Sequence, residues 1–138
     1  MNDVTTQAVA SDVSERTRIS SGSPYEGRIG FSRAIAVGGR VLVSGTAPVW
    51  PDGSCDADAE VQTRRCLDII DTALRDAGVT LAHVVRTRMY IVDAADSYAV
   101  GRAHGEVFGE TRPAATMVVV KALLDPRWKV EIEAEAQV

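Results

Sequence analysis

Val84-Val85-Arg86-Thr87-Arg88-Met89-Tyr90-Ile91-Val92 alternates in character residue by residue. In an extended chain successive side chains point to opposite faces, so Val85, Thr87, Met89 and Ile91 fall on one side and Arg86, Arg88 and Tyr90 on the other. A strand with long polar residues along one face either meets water there or lines an interface. The segments flanking it have a different period. Before it, from Asp58 to Ala77, Val61, Leu67, Ile70, Leu74 and Ala77 recur by threes and fours, while Arg64, Arg65, Asp68, Asp71, Arg75 and Asp76 lie mostly elsewhere. That is an amphipathic helix, opened by an Asp and closed by Gly78. After it, Asp96 to Phe108 predicts a second helix capped by Asp96, with Tyr98, Gly101, Gly105 and Phe108 on one face. The two glycines would let this helix approach its sheet closely.

Farther out the chain is again extended. Ala34-Ile35-Ala36-Val37, Gly38-Gly39 and Arg40-Val41-Leu42-Val43-Ser44-Gly45 predict a hairpin, because Gly-Gly supplies the positive φ angles of a tight two-residue turn. Pro48, Pro51, Asp52 and Gly53 mark an irregular connection. Beyond the Arg112-Pro113 break, Ala114 to Val120 is an apolar strand. In Trp128 to Val138, Val130, Ile132, Ala134 and Ala136 alternate with Lys129, Glu131, Glu133 and Glu135. The order ββαβαββ describes an α+β fold, a mixed sheet with two helices on one face. The opposite face, with Tyr90, Met117, Val119 and the rows Arg86/Arg88 and Glu131/Glu133, has no element left to cover it, which predicts self-association.

The chain has 138 residues, enough for one domain. Polar residues 1–22 read as a loose tail, leaving 23–138 as the domain. Hydrophobic residues at 46% and charged ones at 25% are the mixture of a soluble globular protein. No apolar run approaches the ~18 residues of a membrane span, and the first residues carry no basic start or apolar block, so the expectation is cytoplasmic, with no membrane partner. A net charge of −4 with dispersed arginines argues against a nucleic-acid partner. Cys55 and Cys66 are isolated thiols that fit neither a disulfide framework nor a metal site.

Several segments together resemble the RidA/YjgF family: Val43-Ser44-Gly45-Thr46-Ala47-Pro48, the helix with Cys66-Leu67-Asp68, Arg88-Met89-Tyr90-Ile91-Val92-Asp93, Arg112-Pro113-Ala114-Ala115-Thr116 and Val130-Glu131-Ile132-Glu133-Ala134. The resemblance runs from about Gly30 to Val138. It implies a chorismate-mutase-like fold and a homotrimer with a barrel-like centre and ligand pockets between subunits. The implied activity is hydrolysis of reactive enamines and imines to a carbonyl product and ammonia, with no cofactor and no metal. Some members carry an older endoribonuclease label, which the acidic balance does not favour.

Carried over position by position, the resemblance makes Phe31 the pocket aromatic and Gly45 the pocket glycine after the second strand. Glu131 becomes the carboxylate that positions a water, and Met117 the residue whose backbone meets the ligand's nitrogen end. The family's substrate-anchoring arginine stands in a Pro-Ala-Arg-Ser pattern, whereas this chain reads Pro113-Ala114-Ala115-Thr116. An arginine fork makes two parallel charge-assisted bonds to a carboxylate, which alanine cannot imitate. The ligand therefore lacks a carboxylate, or another cation replaces the anchor, or the site binds without catalysis. Arg88 and Arg86 are the first substitutes to consider; Arg33 and His104 are weaker ones. Tyr90 shares the strand face of Arg88. Trp50, in the connection after Gly45, either walls an apolar pocket or anchors its own loop. The expected partner is a small-molecule ligand. The alternative to an enzyme is a non-catalytic trimer that binds a metabolite or another protein.

Overall fold

A computed structural model describes residues 15–138. Of the expected tail, residues 1–14 lie outside the described residues. Order begins earlier than Ser23, however. Thr17–Ile19 forms a strand, β1, antiparallel to Ala34–Val37, β2, with Ile19 opposite Ala34. The physical reason is an otherwise open edge of β2 and a buried place for Ile19 in the core. A short helical turn, Glu26–Gly30, leads into β2.

β2 and Arg40–Thr46, β3, form the expected hairpin, with Val37 opposite Arg40. Gly38 and Gly39 have φ of +55° and +78°, the left-handed pair that this tight turn demands. Helix α1 spans Ala59–Asp76, and the Asp58 carboxylate caps it by accepting from Val61 N at 3.0 Å. Val84–Ile91 is β4, Ser97–Phe108 is α2, Ala114–Val119 is β5 and Val130–Gln137 is β6. The six strands lie in the order β1-β2-β3-β6-β4-β5. Only β4 and β5 are parallel, and α2 makes the crossover between them. The expected ββαβαββ order therefore holds, with one strand added in front.

Both helices pack on one face of the sheet around Cys66, Ile70, Leu74, Val100, Phe108, Val130 and Ile132. Several inward positions differ from the sequence reading. Val61 is exposed, and its neighbours Gln62 and Thr63 are buried instead, because their polar groups find backbone partners. Val85 is 50% exposed, because the pairing of β4 with β6 shifts register between Val84 and Arg86 and Val84 takes the inward place. Tyr98 is exposed, and α2 buries Val100, Ala103 and Phe108. Its glycines are not needed for close approach: a Cβ at Gly105 would meet nothing within 4 Å, and one at Gly101 only Met117 Cε at 4.0 Å. Asp96 makes no side-chain cap. Asp93 instead caps the short turn Ala94–Asp96 before the helix, accepting from Ala95 N.

The face opposite the helices carries charge in rows. Register places Arg86 beside Glu135, Arg88 beside Glu133 and Tyr90 beside Glu131. Met117 and Val119 do not belong to this face. They stand in register with Met89 and Ile91, the inward residues of β4, so Thr116 and Val118 take the outer positions. Among the described residues no helix is long and apolar enough to cross a membrane.

Candidate functional site

Near its end, β3 loses regular register with β6 between Val43 and Thr46. A bulge of this kind turns backbone groups out of the ladder and re-aims nearby side chains. Here Arg33 Nη2 donates to Ser44 O at 2.8 Å and to Gly45 O at 2.6 Å. Ser44 Oγ donates to Ser32 O at 2.6 Å, and Thr46 Oγ1 to Ser44 O at 2.8 Å, so the irregular backbone is held from both sides. The Glu131 carboxylate of β6 rests against this bulge at Gly45. A Cβ at position 45 would overlap Glu131 Oε2, which is why a glycine stands there. Gly45 thus lies within β3 rather than after it.

Burial holds the half-buried Glu131 carboxyl above the usual carboxylate range. The Arg33 guanidinium opposes the rise and Glu133 adds to it. Beneath the bulge Cys66 is fully buried, its Sγ 3.3 Å from Thr46 O. Burial, with Glu131 nearby, pushes that thiol far above its ordinary value, so it is inert.

Glu131 and Tyr90, adjacent across β6 and β4, line an open cavity of about 310 Å³ together with Val120, Ala122, Leu123 and Leu124. A second cavity of about 580 Å³ adjoins Phe31, Ser44 and Glu133. Glu133 lies between the two. Its Oε1 accepts from Tyr90 Oη at 2.6 Å and lies 3.5 Å from Arg88 Nη1. The hydrogen bond to Glu133 keeps the Tyr90 phenol protonated, its pKa raised.

The chain that forms this α+β sheet is matched by known proteins. The family model described as Endoribonuclease L-PSP covers residues 24–138. The chain belongs to the RidA/YjgF family. A crystal structure from Mycobacterium tuberculosis, described as a member of the highly conserved YjgF family, superimposes with a TM-score of 0.83 at 45% identity, covering 90% of this chain and all (100%) of that one. An uncharacterized protein of Streptomyces coelicolor is 39% identical over 86% of this chain and 90% of its own length. The 2-iminobutanoate/2-iminopropanoate deaminase of Escherichia coli is 32% identical over 77% of this chain and 85% of its own length.

In this RidA/YjgF chain the expected site residues divide into groups. Glu131, Gly45 and Tyr90 come together, Arg88 joins them through Glu133, and Phe31 borders the neighbouring cavity. Ala115 and Met117 lie elsewhere. Ala115 pairs with Thr87, whose hydroxyl is 2.9 Å from His104 Nε2 on α2, and Met117 packs on the core; both are on the helix side. Burial lowers the His104 pKa, which keeps that ring neutral at neutral pH. Trp50 lines neither cavity. Its Nε1 donates to Asp56 Oδ2 at 2.7 Å and Arg65 stacks 4.1 Å from its ring centroid, so it anchors its own loop.

Sequence reasoning underrated Arg33, the residue that shapes the bulge. An isolated Ser32-Arg33 before a strand has no periodicity that would mark it, and only the return of β3 beside it reveals its place. Ala122, Leu123 and Leu124, between β5 and β6, carry no sequence signal that marks them as lining a cavity. Among the described residues no three His, Cys, Asp or Glu side chains gather as metal ligands would. What the cluster offers is general acid–base chemistry: a half-buried carboxylate with raised proton affinity beside a small cavity.

Proposed function

We propose that the protein hydrolyses a small reactive enamine or imine, releasing ammonia and a carbonyl product, at pockets between the subunits of a homotrimer. The observation that carries this reading is the Glu131 carboxylate, set against Gly45 and open to a cavity with Tyr90. Water adds to the imine carbon, and Glu131 takes a proton from that water as its oxygen bonds to carbon. That proton passes to nitrogen to give the carbinolamine, and Glu131 then relays the hydroxyl proton to nitrogen as the carbonyl forms, so that the C–N bond breaks and ammonia leaves. The deaminase relative from Escherichia coli supports this class of substrate.

The partition of the remaining residues supports a shared site. Ala115 and Met117 project to the helix side of the sheet and Glu131 to the other, so a pocket containing all of them draws them from two chains. The test generates imines in situ with amino-acid oxidase and follows ammonia and carbonyl release. The wild type should accelerate release, and Glu131→Gln, which keeps the size but cannot accept the proton, should abolish the effect while leaving assembly intact. Undiminished turnover in the variant would refute the role of Glu131.

A second reading, a trimer that binds a metabolite without turning it over, is favoured by one feature. Ala115 stands where the family's pattern places its arginine. Saturable binding of pyruvate or of an apolar carbonyl compound in calorimetry, with no ammonia release from any imine, would establish that reading instead.

A further inference from the structure

Arg33 is held in a costly position. Its side chain is largely withdrawn from water, both of its donations go through Nη2 to the bulge carbonyls, and its Nε is buried with no partner among the described residues. A guanidinium in such surroundings needs compensating charge, since a buried ion without it is strongly disfavoured. Two carboxylates supply it, Glu26 from the turn before β2 and Glu131 from β6. Glu26 is itself fixed, its Oε2 accepting from Ser21 N at 3.0 Å and Ser21 Oγ at 2.6 Å. Among the described residues Glu131 has no hydrogen-bond partner that would hold it in the way Ser21 holds Glu26. The groups facing it are Arg33 ahead of β2, Cys66 from α1, Tyr90 from β4 and Glu133 on its own strand. Of these, Cys66 and Tyr90 are neutral, Glu133 is negative, and Arg33 alone brings positive charge to the carboxylate.

We propose that Arg33 is the positioning residue of this site, clamping the Ser44–Gly45 bulge into the notch that seats Glu131 and bringing a positive charge up behind that carboxylate. The proposal rests on the reading of Glu131 as the base, yet the coupling between the two charges is testable whether or not the protein turns anything over. Burial raises the proton affinity of Glu131, and the guanidinium opposes that rise. With the guanidinium behind the bulge, the proton affinity is tempered without any group occupying the cavity side. The clamp and the charge are separable, because an amide can donate to a carbonyl without carrying charge and an ammonium can do both.

The experiment titrates the Glu131 side-chain carboxyl by carbon-13 NMR in the full-length protein, assigning it by its loss in Glu131→Gln. In Arg33→Gln the apparent pKa of Glu131 should rise by about one unit or more, the usual effect of removing an opposite charge at close range. In Arg33→Lys it should stay near the wild-type value. An unmoved titration in folded Arg33→Gln, or an equal rise in both variants, would overturn the proposal. Should Arg33→Gln fail to fold, the coupling is read from the other side. The Arg33 guanidinium protons, followed by nitrogen-15 NMR, should exchange faster in Glu131→Gln than in the wild type, and unchanged exchange counts against it. If the wild type releases ammonia from imines, the acidic limb of its pH–rate profile should move alkaline in Arg33→Gln by the same amount as the titration. If it releases none, the hydrolytic reading fails while the titration still decides the role of Arg33.

Discussion

Gly45 and Glu131 show how narrowly one position can be constrained without any backbone strain. The glycine's φ is not in the left-handed region, so only the space for the carboxylate excludes a side chain. In Gly45→Ala the methyl group would meet the far end of a flexible side chain, which can swing away. The expected result is therefore a stability change within about 1 kcal/mol in thermal unfolding, together with loss of whatever activity depends on Glu131. A large loss of stability would mean that the bulge itself cannot admit a Cβ. The sequence marked the glycine and the glutamate only through the family resemblance; alternation alone made Glu131 one of a row of equivalent outward carboxylates. Its neighbour Glu133 is tied to Tyr90 and Arg88, and that difference between the two is created by cross-strand register.

At the scale of elements, helix α1 does more than cover the sheet. Gln62 on its first turns is fully buried. Its Nε2 donates to Asp56 O at 2.7 Å and to Arg127 O at 2.8 Å, and its Oε1 accepts from Lys129 N at 2.7 Å. The helix is thereby stitched both to the loop after β3 and to the residues that launch β6, two positions ahead of Glu131. Gln62→Leu would leave three part-buried backbone groups without these partners, at about 1–3 kcal/mol for each that water cannot reach. A destabilisation of about 2–4 kcal/mol is expected in urea unfolding at fixed protein concentration, far above the effect of a surface substitution. The helix was legible from its apolar spacing and its Asp58 cap. This clamp was not, because a glutamine in an amphipathic pattern reads as an outward residue until its partners are folded around it.

For the whole molecule, the proposed assembly rests on the sheet face opposite the helices. It carries ion pairs at Arg40–Glu135 and Arg88–Glu133, a hydrogen bond from Arg86 to Thr116, and exposed Val118, with Leu124 of the following loop 93% exposed. Ion pairs in so open a setting contribute little to the fold of one chain, and the gain on association comes from covering the exposed apolar residues beside them. Light scattering after size exclusion should accordingly give the mass of three chains. A stable monomer at micromolar concentration would remove the proposed shared pocket, since Ala115 and Glu131 could then no longer meet.

By itself the sequence determined the element types and their order, because period, turn glycines and caps are local properties that one strand or helix carries alone. The alternation in β4 and β6, the Gly38-Gly39 turn and the α1 stripe each follow from neighbouring residues, and the family resemblance from their succession. Tertiary structure decided which residues share a face and which charges meet. The bulge between Val84 and Arg86 displaced Val85 outward, and the pairing of Met117 with Met89 and of Val119 with Ile91 put those two with the inward residues of β4, because partners in register share a face. Thr17–Ile19 became a strand only because β2 offered it an edge. Arg33 and Glu131 lie 98 positions apart in the chain. Only the antiparallel return of β3 beside β6 brings the two charges together, and Coulomb attraction acts on distance in space, of which the sequence holds no direct record.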